Sequence, residues 1–166
     1  MSTKTRCLPR RQLLKCPVAL VTAGLLSSPL MGVAATQPEH ITVWKTPNCG
    51  CCKEWVAHLR KNGFEVVTND VQDTAPMRQK AGMPEKFASC HTATLAGYVL
   101  EGHVPAKEIR RLLREKPKAL GLAVPGMPVG SPGMEIGSSR DAFDVMLVSP
   151  SGGSRVYQSY PAISST

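Results

Sequence analysis

From Ile41 to Lys45 apolar and polar residues alternate, the period-two pattern of a strand with one face buried. Thr46-Pro47-Asn48 is turn chemistry, and then the period changes. Cys52, Trp55, Val56 and Leu59 recur at helical spacing as far as Gly63, a suitable helix stop. Phe64 to Thr68 is a second apolar, β-branched run, close enough behind the helix to be a parallel neighbour of the first strand through a right-handed crossover. Asp73 is placed to cap a short helix running through Met77 and Lys80 until Gly82-Met83-Pro84. A loop holding Cys90-His91 leads into Thr92 to Leu100, which reads as one third strand, and Gly102-His103 turns the chain. Pro105 opens a helix marked by Ile109, Leu112 and Leu113.

After this βαβαβα pattern the character shifts. Pro117, Gly121, Pro125, Gly126, Pro128, Gly130, Pro132 and Gly133 predict a loop of about twenty residues, long enough to call for a functional reason. Phe143 to Ser149 and Ser154 to Ser159 read as a C-terminal hairpin around Ser151-Gly152-Gly153. There are no internal repeats. The expected fold class is α/β: a central mixed sheet with flanking helices, a C-terminal hairpin and a long Gly/Pro/Met loop.

The N-terminus has the pattern of an export leader. Lys4, Arg6, Arg10, Arg11 and Lys15 come without an acid, Pro17 to Met31 is mostly apolar and small, and Val33-Ala34-Ala35 fits a cleavage site. Residues 1–35 are therefore expected to be a cleaved signal peptide, leaving one domain over residues 36–166 in the periplasm. Arg10-Arg11 resembles the twin-arginine type, with the ordinary secretory route equally open. Thr22, Ser27, Ser28 and Pro29 interrupt the apolar stretch, which falls short of the roughly 20 residues of a membrane span.

Removing the leader changes the charge. The chain has 20 basic and 12 acidic residues; five of the bases lie in the leader, so the remainder carries 15 against 12, a net +3. No basic run is interleaved with aromatics, and Arg110, Arg111 and Arg114 read as the solvated face of one helix, so nucleic-acid binding is not expected.

The chemistry concentrates at Cys49-Gly50-Cys51-Cys52, three sulfurs within four residues where a strand gives way to a helix. Unpaired N–H groups and the positive end of the helix dipole favour thiolate there, which is both nucleophile and metal ligand. Cys49 and Cys52 have the C-x-x-C spacing of a redox dithiol, and Cys51 adds a sulfur that a dithiol enzyme does not need. Cys90 is the fourth cysteine after the leader. In an oxidising compartment two structural disulfides are the plain alternative, which the vicinal Cys51 and Cys52 make awkward.

Thiolates select Cu(I), zinc or iron–sulfur, and nearby His and Met tilt the choice to copper. Zinc held by four sulfurs, or by three with His91, is the nearest competitor. His91 beside Cys90 and His103 after Gly102 are candidate ligands, as are Met127 and Met134 in the Gly/Pro loop. His58 reads as a surface or packing residue, His40 as a solvated residue ahead of the first strand, and Met77 and Met83 as core or caps. Trp44 and Trp55 read as walls on either side of the cysteine turn.

Four ordered motifs, Thr46-Pro47-Asn48-Cys49-Gly50-Cys51-Cys52, Cys90-His91-Thr92-Ala93, Glu101-Gly102-His103-Val104-Pro105-Ala106, and Gly121 to Pro128 followed by Gly130-Ser131-Pro132-Gly133-Met134-Glu135, resemble the CopG-like family. These are exported copper-resistance proteins, distinct from the DNA-binding repressor of the same name. The resemblance spans about Ile41 to Tyr157. It implies a thioredoxin-like domain that binds copper through Cys49, Cys51, Cys52 and Cys90, with room for a multinuclear Cu(I) centre and cycling between Cu(I) and Cu(II). It also implies copper ions and other periplasmic copper-handling proteins as partners. Ordinary thioredoxins place a cis-proline before the third strand; here His91-Thr92 occupies that approach, which on this fold sets Cys90 and His91 opposite the cysteine turn. A thiol–disulfide oxidoreductase using Cys49 and Cys52, and a zinc or copper store without turnover, are the competing readings.

Overall fold

The computed structural model describes residues 40–164. The predicted signal peptide therefore lies outside the described residues. Seven strands form one mixed sheet in the order β2-β1-β3-β4-β5-β6-β7. They are β1 His40–Lys45, β2 Glu65–Asp70, β3 His91–Leu95, β4 Tyr98–Glu101, β5 Gly121–Ala123, β6 Phe143–Val148 and β7 Ser154–Tyr160. The helices are α1 Gly50–Lys61, α2 Ala75–Lys80 and α3 Ala106–Glu115, with a short 3₁₀ turn at Glu85–Phe87.

Two parallel pairings fix where the helices go. β1 runs parallel to β2 through α1, and β4 parallel to β5 through α3, while the remaining neighbours are antiparallel. Side chains alternate across a strand, so the sheet feeds two apolar layers. Ile41, Val43, Ala93, Leu100, Leu122 and Val145 pack with Trp55, Val56 and Leu59 of α1 and Ile109 and Leu112 of α3. Val99, Ala123 and Val148 form a smaller cluster with Met83 and Phe87.

Helix ends follow the residues that allow them. Gly63 has φ +79, which lets the chain leave α1 at Asn62 and enter β2. α2 starts after Thr74, and the Asp73 carboxylate accepts a bond from the Ala75 N–H at 3.0 Å. Pro105 precedes the first residue of α3, and the helix ends on Lys116 in the left-handed region.

Two expectations need correction. The run Thr92 to Leu100 is not one strand but the hairpin β3–β4, folded at Ala96 and Gly97 with φ +47 and +83. Positive φ at both central residues is the type I′ geometry that matches strand twist. The long loop after α3 is also interrupted: Gly121–Ala123 pairs with β4 and β6 and closes the sheet between them. Gly121 is required there, because a Cβ would run into the Val99 backbone. The C-terminal hairpin forms as predicted, with an irregularity at Val145/Met146. Among the described residues no helix is long and apolar enough to cross a membrane.

Candidate metal centre

The cysteine turn lies between the end of β1 and the first turn of α1. Cys49 is the N-cap of α1, and its Sγ accepts from the Cys52 N–H at 3.2 Å, taking one of the helix's otherwise unpaired donors. Residues three apart on a helix share a face, and Cys49 and Cys52 are joined by a disulfide with their Cα atoms 5.3 Å apart. Cys51 and Cys90 are free thiols, both half-buried. Cys51 Sγ lies 3.5 Å from Cys49 Sγ and 3.8 Å from Cys90 Sγ. Thus the sulfur most distant in sequence is brought to the other three, and the four lie within 4.8 Å of one another.

Cys90 faces two imidazoles on its other side. Its Sγ is 3.3 Å from His91 Nδ1 and 3.0 Å from His103 Nε2, and these three residues form a second group within 4.8 Å that shares Cys90 with the first. His103 Nδ1 is 2.8 Å from the Pro132 carbonyl, a partner that can only accept. The proton therefore sits on Nδ1, and the Nε2 lone pair points at the sulfur, the arrangement by which a metal-binding histidine is oriented. His91 is fully buried, packs against Trp55 with the ring centres 4.3 Å apart and the planes tilted by 34°, and meets the His103 ring edge-on at 4.9 Å; its Nε2 has no hydrogen-bond partner.

Burial sets the protonation of this group. It holds His91 down to about 3, helped by His103, and lowers His103 as well. Burial also pushes the Cys90 thiol up to about 12, with Cys51 adding to the rise. Neutral imidazoles are ready ligands, and a soft cation is what converts such a buried thiol to thiolate. A pocket of four sulfurs and two neutral imidazoles fits copper or zinc far better than magnesium or calcium, which take oxygen.

A buried carboxylate holds the Cys90 segment in place. Glu101, fully buried at the end of β4, accepts from Ser89 N at 2.9 Å and Thr92 Oγ1 at 2.7 Å, one on each side of Cys90-His91. Arg78 lies 3.6 Å from Glu101 and makes a two-pronged contact with Glu85. Burial raises Glu101 to about 7, against the pull of Thr92, Ser89 and Arg78. Glu101→Ala strands those donors and is expected to cost on the order of 3 kcal/mol in urea unfolding, with Glu101→Gln losing less because its amide oxygen still accepts.

The chain between β5 and β6 closes the site from above. Besides the Pro132 carbonyl, it brings Gly133 against the backbone of α1: a Cβ there would lie 2.6 Å from Trp55 N and 2.7 Å from Cys51 O. Only glycine permits that approach, at φ +87.

The fold superposes on two solved forms of the copper resistance protein copG, Form 2 and Form 1. Each has a TM-score of 0.72 and 46% sequence identity; 75% of this chain aligns with 100% of the Form 2 chain and 99% of the Form 1 chain. The chain belongs to the copG family. A family described as a protein of unknown function, DUF411, also matches over residues 87–134, which include Cys90, His91 and His103 but not the cysteine turn. No curated protein matches the sequence.

In this copG-family chain the sequence-predicted residues divide clearly. Cys49, Cys51, Cys52, Cys90, His91 and His103 converge. The four-thiol expectation differs from the structure in one respect, since Cys49 and Cys52 are paired. Met127 is 54% exposed, and Met134 is half-buried in the covering loop, bonded through its backbone to Gly130 and Ser131. The expectation that two tryptophans wall the turn holds only for Trp55. Trp44 has the opposite strand parity to Val43 and lines a hollow with Met77, Lys80, Ala81 and Thr94 beside α2.

Two supporting residues were not expected from the sequence. Glu101 stands in one of the quoted motifs without an assigned role, and the sheet pairs it with Thr92 across the β3–β4 hairpin. His58, read as surface or packing, accepts from the Ala106 N–H at 3.1 Å and so caps α3 from another element. Burial lowers its pKa, which suits that acceptor role. His40 is exposed, as expected, 3.0 Å from Glu65.

Proposed function

We propose that this chain is a periplasmic copper-binding protein of copper resistance that handles Cu(I) and Cu(II) through its cysteine cluster. The observation that carries the reading is the position of Cys90, which belongs to both the four-sulfur group and the Cys90-His91-His103 group. A thiolate shared in this way bridges metals, so the ligand set Cys49, Cys51, Cys52, Cys90, His91 and His103 supports a multinuclear Cu(I) centre. The name of the similar structures supports copper as the metal, with zinc as the lesser alternative. Met134 and Met127, on the loop that covers the site, are proposed as auxiliary sulfurs.

The residues have separable tasks in this reading. Copper is the cargo or substrate, taken up by thiolates and by imidazoles that burial keeps neutral. His103 is oriented by Pro132, Cys90 by the Glu101 bonds on either side of it, and Trp55 excludes water behind His91. The order β1-α1-β2-α2-β3-β4-α3, with the cysteines at the cap and first turn of α1 and Cys90-His91 entering β3, supports a thioredoxin-like domain over residues 36–166. The leader pattern of residues 1–35 supports export, with other periplasmic copper-handling proteins as partners.

Anaerobic titration of the reduced chain with Cu(I) is expected to give more than one copper per chain, silent in EPR. A metal-free chain that reduces insulin would instead favour the dithiol oxidoreductase reading, which the Cys49–Cys52 disulfide supports. Exported protein is expected to begin near Thr36 by mass; an uncut chain in the cytoplasm would remove the compartment from the reading.

A further inference from the structure

The end of the sheet opposite the metal centre carries a second gathering of polar groups. β5 runs from Gly121 to Ala123, and the next residue, Val124, donates its N–H to the Glu101 carbonyl at the metal-centre end. The other end of β5 opens on a hollow of about 290 Å³. Lys118 and Ala119 ahead of β5, Leu147 and Ser149 around the end of β6, and Ser154 and Arg155 at the start of β7 form its walls.

Floor and rim differ in character. Leu147 is buried and Ala119 half-buried, while Lys118 and Arg155 are exposed. No aspartate or glutamate lines the hollow, and neither cation makes an ion pair or a side-chain hydrogen bond among the described residues. Backbone donors are unused as well: the N–H groups of Lys118, Ala119 and Gly153, all lining residues, have no acceptor among the described residues. The Ser154 hydroxyl is also without a partner there, whereas the Ser149 hydroxyl is engaged with Ser151 at 2.9 Å and the Gly153 carbonyl at 3.2 Å.

Ordinary structural roles cover only part of this. Arg114 and Lys116 answer the negative end of the α3 dipole, an effect confined to the last turn, and Lys118 lies past it. Arg155 on an edge strand deters pairing with another sheet, which does not call for a second cation in the same hollow. Like charges gathered without an acid repel, and an anion between them turns that cost into attraction.

We propose that this hollow binds the phosphate group of an organic phosphoester. The Lys118 ammonium supplies a point charge and the Arg155 guanidinium a planar fork that spans two phosphate oxygens. The free N–H groups and the Ser154 hydroxyl are donors for the remaining oxygens. Leu147 and Ala119 give the carbon part of the ester an apolar floor, which inorganic phosphate cannot use. A ligand held here leaves the metal centre at the far end of the sheet uncovered. The proposal is independent of the copper-handling reading.

The test is an amide NMR titration of the isotope-labelled chain with inorganic phosphate, glycerophosphate and dihexanoyl phosphatidylglycerol, with acetate as the control, all at one ionic strength. Saturable shifts are expected at Lys118, Ala119, Gly153 and Ser154 with each phosphate, and the better of the two esters should bind about threefold or more tighter than inorganic phosphate. Tighter glycerophosphate assigns the site to a soluble ester, and tighter phosphatidylglycerol to a lipid headgroup. Absence of saturation with all three, or acetate binding as tightly as they do, overturns the proposal; inorganic phosphate matching both esters overturns the role of the floor. Lys118→Ala combined with Arg155→Ala is expected to weaken ester binding by about tenfold or more, and unchanged affinity also overturns the proposal. Both side chains are exposed, so the variant should keep its amide dispersion and its Cu(I) uptake. Failure of phosphoester binding therefore leaves the copper-handling reading standing.

Discussion

Cys90→Ser is expected to remove half or more of the copper bound per chain and to weaken what remains by about a hundredfold, roughly 3 kcal/mol. The size follows from geometry. Cys90 Sγ is the atom common to both ligand groups, within 3.8 Å of Cys51, His91 and His103 sulfur or nitrogen atoms. A serine hydroxyl is a hard, poor ligand for Cu(I), so both groups lose their shared member. Serine is close in size, and the bonds of the Ser89 N–H and the Thr92 hydroxyl to Glu101 are untouched, so the melting temperature should change little. Anaerobic titration against a Cu(I) chelator checks the binding, and thermal denaturation checks the fold. Full stoichiometry in this variant would refute the shared-thiolate arrangement. It would also put the dithiol reading first, since a C-x-x-C enzyme has little use for Cys90.

Trp55→Ala should produce the largest loss of stability, about 3–5 kcal/mol. The indole is fully buried in the main core, donates from Nε1 to the Val104 carbonyl at 2.9 Å and lies against His91. Truncation leaves a cavity, an unpaired carbonyl and a ligand ring without its support. Urea unfolding measures the first two effects. Trp55→Phe separates the third: it retains a ring against His91 and should keep most of the copper affinity while giving up the Val104 bond, a loss of about 1 kcal/mol. Equal stability for Trp55→Ala and the unaltered chain would mean that the layer between α1 and the sheet is not the main core.

How much of this was legible in the sequence depended on the length of each signal. β1, the cysteine turn and α1 could be read because alternation gives way to helical spacing within a few residues. The C-terminal hairpin could be read from Ser151-Gly152-Gly153 between two good strands. The β3–β4 turn was missed because Ala96-Gly97 is a weak turn dipeptide inside an apolar run, and alanine rarely takes the positive φ seen there. β5 was missed because three residues are too few to show a period. Cys90 was legible as a candidate ligand through its neighbour His91, and His103 through the motif around it. Glu101 was not, since a single acid at a strand end looks solvent-facing until its partners Ser89 and Thr92 are in place.

The candidate ligands come from three places along the chain, the α1 cap, the entry to β3 and the turn after β4, and only the folded sheet assembles them. Unfolding must therefore surrender bound metal, so loading acts as a staple whose strength grows with the logarithm of free metal over its dissociation constant. At a thousandfold excess over that constant the gain is about 4 kcal/mol. Scarcity of the metal would then shorten the life of the chain among proteases, and abundance would lengthen it, so that protein level would follow metal supply without any change in synthesis.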